Sequence, residues 1–205
     1  MEQRSEELYK ARKGRFTASQ IHKLMGARGL GQTGESYILE VVTQSLGVEL
    51  LEFSTYAMQY GTDMEPIAKQ YYEAAFQCEI EEHGFIVPDW CDQTGASPDG
   101  LVKGKNKLIE IKCPYNPVNH TKNLLIKSVD DLKANHKEYY WQIQHQLACT
   151  GLQVCDFVSF HPEFTGINRM IAIEIHRNEK DIDLMKTRIF EAVALFNKFI
   201  ETINK

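Results

Sequence analysis

Two short blocks hold the residues best able to do chemistry. Ser97-Pro98-Asp99-Gly100 comes first, and ten residues separate Asp99 from the second block, Glu110-Ile111-Lys112-Cys113-Pro114. In a strand, residues two apart share a face, so Glu110 and Lys112 project together. Gly104-Lys105-Asn106 supplies a hairpin turn between the blocks. Such a hairpin returns Asp99 to within about one residue of Glu110, with the register left open. Two converging carboxylates make a hard-oxygen site suited to Mg²⁺ or Mn²⁺. A divalent ion there polarises a phosphoryl oxygen and lowers the pKa of a bound water. Lys112 would hold the attacking water or stabilise charge on the phosphorane. A lone E-x-K is commonly an exposed cross-strand pair, and a lone P-D-G a turn. Here, however, the run 108–113 is apolar enough for a buried strand, where a glutamate and a lysine need partners or a metal.

The elements that must position these residues can be read from periodicity and punctuation. Thr17-Ala18-Ser19-Gln20 has the pattern of a helix-capping box, with Gly26 as the stop. A helix is expected over about 35–46. Another is expected from Thr62, because Thr62-Asp63-Met64-Glu65 repeats the capping pattern with Pro66 in the first turn. Short alternating segments near 79–87, 93–102 and 107–113 read as strands. A helix over about 135–150 then leads to strands near 153–160 and 169–176. The last helix carries Ile182, Met185, Ile189, Val193, Phe196 and Ile200 on one face. The expected fold is α/β (α+β), a central mixed sheet flanked by helices. No repeat or linker divides the chain. One domain over 1–205 is expected, with a helical part over about 1–77 and the sheet with its C-terminal helices over about 78–205.

The 205 residues are 43% hydrophobic and 25% charged, which excludes a collagenous or wholly disordered chain. Apolar runs fall short of a membrane span, and the first 30 residues lack the apolar core of a signal peptide. Five scattered cysteines, never in a C-x-x-C pair, argue against a disulfide framework or zinc ribbon and point to a reducing cytoplasm. Charge is uneven. Residues 8–34 carry +6 and residues 103–137 carry +5 in a chain of net −5, which leaves the remainder at −16. Two basic segments in an acidic protein fit a groove for a polyanion, although charged runs are often simply solvated faces.

The P-D…E-x-K core resembles the restriction-endonuclease-like nuclease superfamily. More specifically, the chain resembles the phage lambda-type alkaline exonucleases and YqaJ-type viral recombinases over nearly its whole length. The matching blocks are Arg12-Lys13-Gly14 with Thr17-Ala18-Ser19, Gly61-Thr62 with Glu65-Pro66, the two blocks above, and Tyr139-x-x-Gln142-x-Gln144. The resemblance implies that Asp99, Glu110 and the backbone carbonyl of Ile111 bind metal, that Glu65 completes a second metal position, and that Lys112 is catalytic. It puts Gln142 near the nucleophilic water. By the residues alone, Glu65 reads as capping its own helix and Gln142 as an exposed glutamine.

The resemblance also implies a terminal 5′-phosphate site of Arg12, Ser19 and Ser97. Physically, Arg12 can fork two hydrogen bonds to a phosphate. Ser19 lies in the first turn of the helix expected after Thr17, where free N–H groups favour an anion. Ser97 alone could just cap a turn. The expected activity is a Mg²⁺-dependent 5′-to-3′ exodeoxyribonuclease, with Mn²⁺ as a possible substitute. It would digest linear duplex DNA to mononucleotides and leave a 3′ single strand for annealing. Implied too are a homotrimeric ring, a single-strand annealing protein as partner, and a phage or prophage origin in a bacterial host. No iron–sulfur cluster is expected, since Cys149 and Cys155 lack the clustered cysteines of the iron–sulfur cousins. Rival readings are an endonuclease with the same core and a DNA-end-binding protein without turnover.

Overall fold

The structure, a computed structural model, describes residues 6–50 and 55–205. Helix α1 (Glu6–Arg12) and strand β1 (Phe16–Thr17) lead into a 3₁₀ helix (Ala18–Leu24), then α2 (Gly31–Ser45) and α3 (Tyr56–Phe76). Strands β2 (Ile80–Glu81), β3 (Thr94–Gly95), β4 (Gly100–Val102) and β5 (Lys107–Lys112) follow. Helices α4 (Pro117–Leu124), α5 (Val129–Asn135) and α6 (Lys137–Thr150) come next. Strands β6 (Val154–Phe160) and β7 (Met170–His176) and helix α7 (Glu179–Ile203) close the chain.

Five strands form one mixed sheet in the order β2-β4-β5-β6-β7. Only the β5–β6 pair is parallel. A parallel pair needs a long crossover, and α4, α5 and α6 provide it. Side-chain alternation gives the sheet two faces. Leu108, Cys155, Phe157 and Ile175 pack with Ile38, Ile143, Ile182 and Met185 of α2, α6 and α7. Ile109, Ile111, Val158 and Phe160 turn the other way, onto Ala68 and Tyr72 of α3. The apolar stripe of α7 takes its expected place: Ile182, Met185, Ile189 and Phe196 are buried, with Val193 and Ile200 packed beside them.

Three expectations need correcting. The helix expected from Thr62 is α3, which begins about two turns earlier, capped by Thr55, whose Oγ1 accepts from the Met58 N–H at 3.2 Å. Pro66 therefore lies inside the helix, on an exposed side, where its missing N–H removes one ladder bond. Thr17 makes no side-chain cap, and the turns after it are 3₁₀ rather than α. Thr17 ends β1 instead, and its N–H donates to Tyr37 Oη at 2.9 Å. Finally, the expected strands over 79–87 and 93–102 are each interrupted. Ile86 makes only an isolated bridge to Ala96, and Pro98 cannot donate to a ladder between β3 and β4. Helices α4 and α5 were not anticipated, although Asn116 and Ser128 cap them and Pro117 opens the first.

Outside the main sheet, β1 and β3 pair in parallel, Phe16 with Thr94 and Thr17 with Gly95. The pairing fixes the N-terminal segment beside the residues leading into Ser97. Gly95 permits it, because a Cβ there would lie 2.4 Å from the Phe85 ring. Gly100 is equally constrained, since its Cβ would fall 2.2 Å from Ile80 Cγ2 on β2.

Candidate active site

The hairpin has the register that the chemistry requires. Gly100 pairs with Ile109 and Leu101 with Leu108, so Asp99, the residue just before β4, comes up beside the part of β5 that carries Glu110. Gly104, at φ +70°, makes the turn. Asp99 Oδ2 accepts from the Ile111 N–H at 2.6 Å, which locks the acid to β5.

Glu110 is only 1% exposed and its carboxylate is held from three directions. Oε1 accepts from Lys112 Nζ at 2.5 Å and from Gln142 Nε2 at 2.7 Å, while Oε2 accepts from Gln146 Nε2 at 2.6 Å. Lys112 Nζ also donates to Gln142 Oε1 at 3.1 Å and sits 4.9 Å from the centre of the Tyr139 ring. Tyr139 is in turn stacked on Phe157 of β6 and on His136. Thus α6 presents Tyr139, Gln142 and Gln146 on one face, at the i, i+3, i+7 spacing that aligns helical side chains.

Glu65 projects from α3, pairs with Lys69 at 3.0 Å, and lines the same cavity as Asp99 and Glu110. Its helix is capped ten residues earlier, by Thr55, so the capping role that its sequence neighbourhood allows is not the one it has. That cavity, of about 790 Å³, is lined by Arg12, Ser19, Glu65, Ser97, Asp99, Glu110, Ile111, Lys112 and Gln142. The residues expected to bind metal, to be catalytic or to bind the terminal phosphate therefore meet at one place. Ser19 lies in a 3₁₀ helix and so lacks the α-helical N-terminus expected behind it, but it still stands on the cavity wall with Arg12 and Ser97. Ser97 Oγ is buried there with no hydrogen-bond partner. Arg15 is committed elsewhere, donating to the carbonyls of Asp92 at 2.8 Å and Ala11 at 2.6 Å.

The electrostatics are those of crowded carboxylates. Burial first, then the charges of Glu110 and Glu65, raise the Asp99 pKa well above the ordinary carboxylate range, against the opposing pull of Lys112 and the Ile111 N–H. The Cys113 thiol next to the site is pushed up to about 12, by burial and then by Glu65 and Asp99. Burial disfavours the Lys112 ammonium, but Glu110 and Asp99 outweigh it and the net shift is upward, so the side chain is a cation and a hydrogen-bond donor.

Among the described residues, no three His, Cys, Asp or Glu side chains stand as a ready-made metal cage. The donor set nevertheless fits a hard divalent cation. Asp99 and Glu110 adjoin across the hairpin, and the repulsion that raises Asp99 is what a cation between them would relieve.

Sequence reasoning missed Gln146. Gln144, which the matching block also contains, faces away: Gln144 Nε2 donates to the His176 carbonyl and its Oε1 accepts from the Asn178 N–H, both at 2.9 Å. The available signal was the helical spacing, since Gln146 lies one turn beyond Gln142.

The chain resembles known proteins along most of its length. The model of the YqaJ-like viral recombinase domain matches residues 7–153. An alkaline exonuclease from Laribacter hongkongensis, LHK-Exo, is similar in structure with a TM-score of 0.86 and 32% identity, over 98% of this chain and 96% of that one. The structure of LHK-Exo in complex with dAMP matches at 34% identity and the same TM-score, over 97% and 96% of the two chains. A phage-related exonuclease from Haemophilus somnus 129PT shares the fold at a TM-score of 0.77 and 17% identity, over 92% and 96%. No curated protein sequence matches. The mixed sheet flanked by helices is thus the restriction-endonuclease-like fold of these structures.

Proposed function

The chain belongs to the YqaJ-like viral recombinase family, and from that premise we propose that it is a divalent-metal-dependent exodeoxyribonuclease acting at the ends of linear duplex DNA. The observation that carries this reading is the paired carboxylates Asp99 and Glu110 beside the Lys112 ammonium, in a cavity large enough for a nucleotide. LHK-Exo, a third identical to this chain, is an alkaline exonuclease whose structure includes dAMP, the class of product that digestion to mononucleotides would release.

Asp99, Glu110 and Glu65, with the Ile111 carbonyl, would hold Mg²⁺ or Mn²⁺. Such an ion supplies Lewis acidity at the scissile phosphate and acidifies a bound water. The chain's own groups do the rest. Lys112 donates from Nζ toward the charge that develops on the phosphoryl oxygens and keeps its proton in doing so. Gln142, tied to both Lys112 and Glu110, orients the attacking water. Arg12, Ser19 and Ser97 bind the terminal 5′-phosphate and so set 5′-to-3′ polarity; the unpartnered Ser97 Oγ supports that role. As in the implied family arrangement, the protein works as a homotrimeric ring in a single domain. It hands its 3′-ended strand to a single-strand annealing protein, in the cytoplasm of a bacterium carrying the phage or prophage.

The test compares linear duplex bearing 5′-phosphate, linear duplex bearing 5′-hydroxyl, and closed circular DNA, each with Mg²⁺ or EDTA. Mg²⁺-dependent loss of linear DNA is expected, faster with the phosphate and absent on circles. Arg12→Ala should erase the phosphate preference, by roughly tenfold to a hundredfold for a charge-assisted bidentate contact. Cutting of circles would replace the reading with an endonuclease. Binding to ends without hydrolysis in either metal would leave a DNA-end-binding protein.

A further inference from the structure

Glu110 is a buried acid whose hydrogen-bond capacity can be counted. A carboxylate offers about four lone-pair positions, two on each oxygen. On Oε1 both are taken, by Lys112 at 2.5 Å and Gln142 at 2.7 Å. On Oε2 one is taken, by Gln146 at 2.6 Å. The position left belongs to Oε2. Gln146 is fully buried, and its Oε1 has no hydrogen-bond partner, so its amide is oriented by Glu110 and not by a competing neighbour. If the amide were reversed, its carbonyl would face the carboxylate at the same 2.6 Å, oxygen against oxygen.

We propose that Gln146 is a positioning residue that fixes the rotation of the Glu110 carboxylate and presents the remaining lone pair of Oε2 to a divalent cation. This inference rests on the metal-dependent reading above. It predicts a division of labour on α6. Gln142, which touches both Lys112 and the cavity, serves the reacting water. Gln146, one turn deeper, never meets substrate and acts only through Glu110. Gln144, also fully buried on the same helix, ties α6 to the segment between β7 and α7 and serves stability alone.

The experiment measures Mn²⁺ binding to the DNA-free protein, by calorimetry and by water-proton relaxation, alongside steady-state digestion of 5′-phosphorylated linear duplex. For Gln146→Met, Mn²⁺ affinity should fall about tenfold or more, as for other groups that orient a metal ligand. The kcat should fall with it, while KM for DNA ends stays near wild type. Raising Mn²⁺ should restore part of the lost rate. Gln144→Met is the structural comparison: its melting temperature should drop while Mn²⁺ affinity holds. Should Gln146→Met not fold, Gln146→Asn keeps a buried amide that is too short to reach Oε2, and the same loss of affinity is expected. Mn²⁺ affinity within twofold of wild type in a folded Gln146 variant overturns the inference and leaves the nuclease reading intact. Absence of Mn²⁺ binding by the wild type overturns both.

Discussion

Two acids are buried on neighbouring central strands, and they differ in what surrounds them. Glu110 on β5 faces α6, while Asp156 on β6, paired with Ile109, faces α3. Their exposures are 1% and 4%. Asp156 is closed off: Tyr72 donates its hydroxyl to Oδ2 at 2.6 Å, and Lys107 donates to Oδ1 and Oδ2 at 3.1 and 3.3 Å. Burial first, then Asp156, raise the Tyr72 pKa, which keeps the hydroxyl a donor. Glu110 accepts as many hydrogen bonds, but it also has Asp99 alongside, Glu65 nearby and a cavity in front. Burial and pairing therefore do not distinguish a chemical site from a structural one. Like charges held together beside open space do, because folding alone gives no reason to keep them there.

Substitutions at the two acids should separate the roles sharply. Glu110→Gln is expected to reduce Mg²⁺-dependent digestion by roughly a thousandfold or more, with a melting temperature near wild type; appreciable residual activity would break the contrast. Asp156→Ala is expected to do the reverse. Leaving the Tyr72 hydroxyl buried without an acceptor should lower unfolding free energy by about 2–3 kcal/mol. Digestion at a temperature where the variant is folded should stay within about threefold of wild type. A large loss of rate there would mean that the two faces are coupled.

A pH titration sharpens the comparison from a third buried group. His145 on α6 is fully buried with Thr94 Oγ1 at 2.9 Å, and burial pushes its pKa down to about 3. A histidine with a folded pKa below its unfolded value of about 6.5 contributes fully above that pH, and its contribution is lost as pH falls toward 3. Between pH 6.5 and 5 the loss is about 2 kcal/mol. Denaturant unfolding of wild type and His145→Gln at both pH values checks this, since groups common to both proteins cancel; equal pH dependence would refute it. The smallest effect concerns the support of Lys112. Tyr139→Leu removes the ring beneath its ammonium and should slow digestion roughly threefold to tenfold, with stability nearly unchanged.

Much of the site was legible because it is local. Asp99, Glu110 and Lys112 lie within one hairpin segment, whose turn and alternation are written in 14 consecutive positions from Asp99 to Lys112. Long periodic elements were legible for the same reason, as the α7 stripe shows. Glu65 was harder. Its residues spell a helix start, and only the earlier cap at Thr55 shows that it lies mid-helix, where its side chain reaches the cavity. Gln146 could not be chosen over Gln144 without knowing which face of α6 meets the sheet.

By itself the sequence determined the hairpin that carries Asp99, Glu110 and Lys112 and the mixed α/β composition, and it named the residues proposed to bind the phosphate. Periods of two and 3.6 residues and the chemistry of individual side chains act over short range, and a single chain displays them directly. Only the tertiary structure decided that Arg12 and Ser19 share a wall with Ser97. That follows from the parallel pairing of β1 with β3 across more than seventy residues of chain. It also decided that α6 turns Gln142 and Gln146 toward Glu110 and Gln144 away. Such placements are set by which apolar faces bury one another, and that choice belongs to the whole core rather than to any segment of it.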